Sequence, residues 1–264
     1  MTAISIPGPS APAGPVAAAR RSWVRSYLLL LRWQLLRQRR LLVLFVLVQL
    51  AIGVGVIYGF AFLVPRITPS VALFFSTGAA TLTLILIGLV VVPQEIAQGR
   101  LTGRASYLSA LPVPRLAPML ADVTFWVLVQ LPGGVVTLVL AVLRFHIQLH
   151  ISALIIPAVA LTALTSAAVG CAISMSLPPM ATQQVTQFLS IALLLFSPIN
   201  FPLSRLPVVL QDVHRGLPVF YMADLVRGAL TGHHQASPAL AYAVLGAWCA
   251  ACLAVSARAA ARRG

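Results

Sequence analysis

Gln94-Glu95-Ile96-Ala97-Gln98-Gly99-Arg100-Leu101-Thr102-Gly103-Arg104, continuing as Ala105-Ser106-Tyr107-Leu108-Ser109-Ala110-Leu111-Pro112-Val113-Pro114-Arg115, is the one long polar, arginine-bearing stretch between two strongly apolar runs. If those runs cross a bilayer, this stretch lies in water on one side, and its arginines indicate which side. A soluble partner can grip it there. The plainer alternative is a solvated loop between helices.

Composition makes the bilayer the natural setting. Hydrophobic residues form 60% of the 264 and charged residues 8%, with a mean hydropathy of +0.98. A soluble domain carries roughly 25% charged residues, so this chain has too few to cover a wet surface. The length suits about six spans of roughly 20 residues each. An all-α integral membrane protein is therefore expected.

Net charge is +14, from 18 basic and 4 acidic residues, and every basic one is arginine. Without lysine there is no Walker A loop, which needs a lysine on the β- and γ-phosphates. Arginine excess in so apolar a chain is a topology signal rather than a nucleic-acid signal, and no nucleic-acid partner is expected. Cys171, Cys249 and Cys252 all sit in apolar runs. Their odd count argues against a disulfide framework, and Cys249-x-x-Cys252 reads as small-residue helix contact rather than a redox pair.

Working outward towards the N-terminus, 1–19 is studded with Pro7, Pro9, Pro12 and Pro15 and should be a disordered tail. The N-terminus lacks a basic region followed at once by an apolar core, so no cleaved signal peptide is expected. The membrane domain then occupies 20–264. Between Arg20 and Arg40, Arg21, Arg25, Arg32 and Arg39 share one face at about 100° per residue, with Trp23, Tyr27 and leucines opposite. This predicts an interfacial helix against anionic lipid headgroups; the alternative is the frayed end of the first span. Spans are expected at about 41–64, 71–93, 119–143, 151–176, 184–200 and 238–257. The first carries Gly55-x-x-x-Gly59, a close-contact pattern of membrane helices. Pro93 is expected to end the second, and Pro132-Gly133-Gly134 to kink the third.

Residues 201–234 are too apolar for an ordinary loop and too broken by proline to span. Short re-entrant helices before the last span account for both features. Thirteen arginines flank one set of segments (both termini and the 94–115 stretch) and five the other. The positive-inside bias places both termini and that stretch in the cytoplasm.

Catalytic chemistry finds little support. Glu95, Asp122, Asp212 and Asp224 are the only acids, and no two share a helix face as a pair or metal site. His146 and His150 are four apart, a spacing that a metal could use, but spacing alone is weak. No serine lies in a Gly-x-Ser-x-Gly elbow. No catalytic residue, metal or bound cofactor is expected. Asp122 is read as an ion-pair or capping residue for Arg115 or Arg100. Asp224 and Arg227, three apart, can pair on one helix face.

Glu95-x-x-x-Gly99, Leu108 to Leu111 and Pro112-Val113-x-Arg115 resemble the cytoplasmic linker of type-2 ABC export permeases. Pro198-x-x-x-Pro202, Leu206-Pro207 and Pro218-x-x-Tyr221-x-x-Asp224-x-x-Arg227 are similar to that family's segment before its last span. The likeness covers roughly Arg20 to Arg258. It implies a coupling helix bearing Glu95, Gly99, Arg100, Pro112 and Arg115, docked on two copies of a separate ATPase subunit that binds ATP-Mg. It also implies a second permease, identical or a paralogue, and an outer re-entrant region with Pro202, Pro207, Pro218, Tyr221, Asp224 and Arg227. One departure stands out: Ile96 and Ala97 follow Glu95, where the family often has a second charge. The hydroxyl-bearing second and fifth spans suggest a substrate path at Thr77, Thr81, Ser190 and Asn200, suited to a drug, antibiotic or lipid leaving the cell. The alternative function is a non-transporting scaffold that binds a soluble partner through 94–115.

Overall fold

The computed structural model describes residues 23–63, 68–104, 107, 113–114, 116–199, 203 and 206–262. Every regular element among them is helical: α1 (Trp23–Leu63), α2 (Pro69–Leu86), a π-helical turn (Ile87–Val91), α3 (Val92–Leu101), α4 (Leu116–Phe145), α5 (Ile155–Ser176), α6 (Pro179–Phe196), α7 (Val208–Gly216), α8 (Pro218–Thr231) and α9 (Pro238–Arg262). The tail expected over 1–19 lies outside the described residues. Five stretches are long and apolar enough to cross a membrane: Trp23–Gly59, Pro69–Leu101, Leu116–Phe145, Ile155–Ser176 and Pro238–Ala260. The expected fifth span corresponds to α6, which is not among them. Its first half carries Thr182, Gln183, Gln184, Thr186 and Gln187, which dilute its apolar second half.

The interfacial helix and the first span, read as two elements, are one helix of 41 residues, ~61 Å long. No proline or glycine occurs from Trp23 up to Gly53, so nothing ends the helix at Leu41. Its two halves meet α4 differently. Tyr27 donates to Thr124 (2.8 Å), and Phe45 lies edge-on to Trp126 (centroids 5.3 Å). Over that interval α1 advances ~27 Å, while its partners on α4 advance only ~3 Å. Beyond it the helices run in step: Gln49 donates to the Val129 carbonyl (3.0 Å), Gly53 faces Thr137 and Ile57 joins Ala141. The basic half therefore crosses α4, and the apolar half runs alongside it.

Pro93 does not end the second span. Proline lacks an N–H, and its ring crowds the carbonyl one turn back. The π turn just before it widens the helix by one residue, with the Val92 N–H bonded to the Ile87 carbonyl. The helix continues through α3, giving a 33-residue run of ~50 Å, longer than the ~30 Å hydrocarbon core. At the π turn a Cβ on Gly170 of α5 would strike the Gly88 carbonyl and sit 2.9 Å from Pro93 Cδ. The two backbones touch because neither glycine has a side chain. Lipid tails are as apolar as leucine, so such close contact, rather than water exclusion, holds helices together here.

α2 is the hub. Leu82, Ile85, Leu86 and Leu89 pack with Phe220, Met222 and Leu225 of α8 and Leu245 of α9, while Ile87, Val92 and Ile96 pack with Phe125 and Trp126 of α4. Gln130 bridges α4 to α5, donating to the Ala163 carbonyl (3.4 Å) and accepting from the Ser166 hydroxyl (2.9 Å). Pro132 lies inside an unbroken α4, and neighbouring Gly133 makes room for Gln49. Cys171, Cys249 and Cys252 are free and buried. Among the described residues, a Cβ added at Gly55 or Gly59 would meet nothing within 4 Å.

Candidate functional site

The pairings fix which ends lie together. α1 and α4 run parallel, and α3 leads to the α4 N-terminus. α5 and α9 also run parallel, with Thr165 donating to the Leu245 carbonyl (3.4 Å) and Ala168 against Cys249 and Cys252. The start of α1, the end of α3 and the end of α9 thus share one end of the bundle. Arg25, Arg32, Arg37, Arg39, Arg40, Arg100, Arg104 and Arg258 belong to it among the described residues, whereas Arg144, Arg215 and Arg227 belong to the other.

At the arginine-rich end, α3 carries Glu95, half-buried, and stops at Leu101. Thr102 follows, and Gly103 adopts φ +74°, a left-handed turn that favours glycine. This turn folds Arg104 back against Gly99, whose missing Cβ would lie 3.5 Å from Arg104 Cδ. Arg104 Nη2 then donates to both carboxylate oxygens of Asp122 on α4, at 2.8 and 3.1 Å. Gln34 Nε2 of α1 donates to the same Oδ1. Asp122 so gathers three elements, with the Arg104 and Asp122 side chains 14% and 16% exposed.

Asp122 therefore pairs with Arg104, not with Arg100 as expected; Arg115, the other expected partner, lies outside the described residues, as does Pro112. Arg100 turns the opposite way. Its Nη1 donates to the carbonyls of Ser174 (2.6 Å) and Leu177 (2.8 Å), satisfying the open C-terminus of α5. Gln94 Nε2 donates to Thr186 of α6 (3.1 Å). Each turn of α3 thus ties to a different helix. The sequence alone does not mark Arg104 and Gln34 as the partners of Asp122. The available signal was scarcity: four acids among so many arginines leave each carboxylate an obvious target.

At the other end, α8 is buried from Pro218 to Leu230. Pro207 caps α7, Pro218 opens α8, and the Tyr221 hydroxyl donates to the Arg215 carbonyl (2.9 Å); Pro202 lies outside the described residues. Asp224 and Arg227 do not pair with each other. Asp224 accepts from the backbone N–H groups of Gln235 (2.7 Å) and Ala236 (3.1 Å), just before α9. Arg227 donates to the Ile199 carbonyl (2.7 Å) and Thr77 hydroxyl (3.3 Å), and its guanidinium lies 3.6 Å over the Phe74 ring. Both charges point away from their own helix to fasten neighbouring segments, which sequence spacing alone could not show.

A bundle of apolar helices with a polar, arginine-bearing segment at one end is what the 94–115 stretch had suggested, the extension of the second helix into that segment being new, and residues 25–231 match the ABC-2 type transporter family. The chain belongs to that family. It is a transmembrane component of an ABC transporter, a multi-pass membrane protein, and in the ABC-2 family ATP hydrolysis is carried by a separate subunit. No curated protein compared with it matches. For this ABC-2 permease, the expected substrate-path residues divide. Thr77 and Thr81 are buried, with hydroxyls bonded to the Leu73 and Thr77 carbonyls (3.0 and 2.8 Å). Ser190 is half-buried and bonds the Gln187 carbonyl (2.7 Å). Asn200 lies outside the described residues.

Proposed function

We propose that this ABC-2 permease exports a lipophilic or amphipathic substrate, such as a drug, antibiotic or lipid, across a bacterial plasma membrane. Two copies of a separate ATPase, carrying ATP-Mg, would drive it, and a second permease, identical or a paralogue, would complete the pathway. Both termini and the 94–115 stretch face the cytoplasm. The observation that carries the reading is the second helix. It runs unbroken from Pro69 to Leu101, outlasts the bilayer and delivers Glu95, Gly99 and Arg100 to the arginine-rich end. A positive-inside orientation then puts that end in the cytoplasm, where an ATPase is found.

The cargo path fits the exposed face of α6 better than α2, because Thr77 and Thr81 are occupied inside the subunit. Gln184 and Gln187 stand there beside Phe188 and Ile191. This mixed face suits an amphipathic molecule and a second permease across from it, since amide groups facing lipid alone are costly.

The test is co-purification of the tagged chain from its own membranes, followed by ATP-dependent efflux of ethidium in reconstituted vesicles. A co-purifying ATPase and ATP-dependent efflux support export. Efflux by the chain alone would refute the subunit reading, and partner binding without any efflux would favour the scaffold alternative.

A further inference from the structure

We infer that Asp122 is a positioning residue that passes movement of α3 on to α1 and α4, so that the Arg104–Asp122–Gln34 contact is the mechanical link between the ATPase handle and the transport helices. This rests on the reading of α3 as the ATPase-facing element.

Three observations converge. α3 is tied to α5 and α6 through Arg100 and Gln94, and those ties stay on one side of the bundle. Its hydrogen-bonded tie to the opposite side, α1 and α4, runs through the Gly103 turn and the Arg104 guanidinium to a single carboxylate, beside the undirected apolar contact of Val92 and Ile96 with Phe125 and Trp126. That carboxylate is mostly sheltered from water, with 16% of its side chain exposed. A sheltered ion pair in which one donor nitrogen reaches both oxygens resists sliding, unlike an exposed pair that solvent screens. The Gln34 bond on Oδ1 then makes α1 follow α4. Because α1 crosses α4 at this level rather than lying along it, a small displacement of Asp122 swings the long basic half of α1. The same geometry explains why one of only four acids sits in the first third of an otherwise apolar span.

The test uses the full permease–ATPase complex, with spin labels at Leu36→Cys on α1, Gln98→Cys on α3 and Met180→Cys at the start of α6, all exposed positions. Pulsed electron spin resonance compares the 98–180 and 36–180 distances before and after trapping with ATP-Mg and vanadate. In the unaltered background both distances are expected to shift. In Asp122→Asn the ATPase still co-purifies and the 98–180 shift persists, while the 36–180 shift falls to baseline. Reversing the pair, Arg104→Asp with Asp122→Arg, restores it, a rescue that a purely structural loss would not show. The inference is overturned if Asp122→Asn keeps both shifts, if it loses both, or if the reversed pair fails to rescue. If no ATPase co-purifies with the unaltered chain, or neither distance moves, the handle reading itself fails and this link falls with it.

Discussion

Arg227 is a buried cation whose nearest ties are a carbonyl, a hydroxyl and an aromatic face. Its value lies in fastening α8 to α2 and to the chain at Ile199. Arg227→Met should leave the Ile199 carbonyl without its donor and lower stability by about 1–3 kcal/mol. The loss should appear as a reduced thermal midpoint in detergent. Arg227→Lys should recover only part of it, because a single ammonium cannot reproduce the planar fork. Asp224 works differently, receiving two backbone N–H groups ahead of α9. In Asp224→Ala the amides of Gln235 and Ala236 should exchange hydrogen about tenfold faster or more, with little change elsewhere. These two residues were legible as important and illegible in role. A three-residue spacing suggested a mutual pair, but partners brought from distant parts of the chain decided otherwise.

At the scale of the elements, the continuity of α2, the π turn and α3 depends on contact with α5. Gly170→Leu should clash with the Gly88 carbonyl, which is backbone and cannot rotate away. It should cost about 1–3 kcal/mol or more and reduce the yield of folded protein in membranes. Gly99 gives the opposite expectation. An added methyl meets Arg104 only at ordinary contact distance, so Gly99→Ala should be neutral, or stabilising by up to about 1 kcal/mol through helix propensity. Gly99→Leu should displace Arg104 and lower the thermal midpoint. Most span positions could be read directly, because long lysine-free apolar runs have few other uses. What stayed hidden were the joints. A proline rule marks Pro93 as an end and cannot foresee a π turn that absorbs the lost donor. The basic pattern of α1 suggested a separate helix, although nothing in its residues breaks the backbone. Neither does composition reveal that Thr77 and Thr81 donate their hydroxyls to their own helix, with Thr77 also accepting from Arg227.

For the whole molecule, the ends that gather the arginines predict topology. A green fluorescent protein joined after the α9 end should fold and fluoresce in the cytoplasm, while an epitope placed at Gly216, which has open space around it, should bind antibody on intact spheroplasts. Antibody binding only after permeabilisation would invert the assignment. The far end is stitched as one piece: His150 and Ser152 donate backbone N–H groups to the Leu230 and Ala229 carbonyls (3.0 and 2.9 Å), joining the α4–α5 connection to the end of α8. The three native thiols carry a practical consequence for all work on this chain. Each is lodged between helices rather than on a wet or lipid-facing rim, so maleimide dyes and mild oxidants find them closed off. A single engineered sulfhydryl can then report on its surroundings without first stripping the natural ones, and the contacts they make between α5 and α9 stay intact while it does.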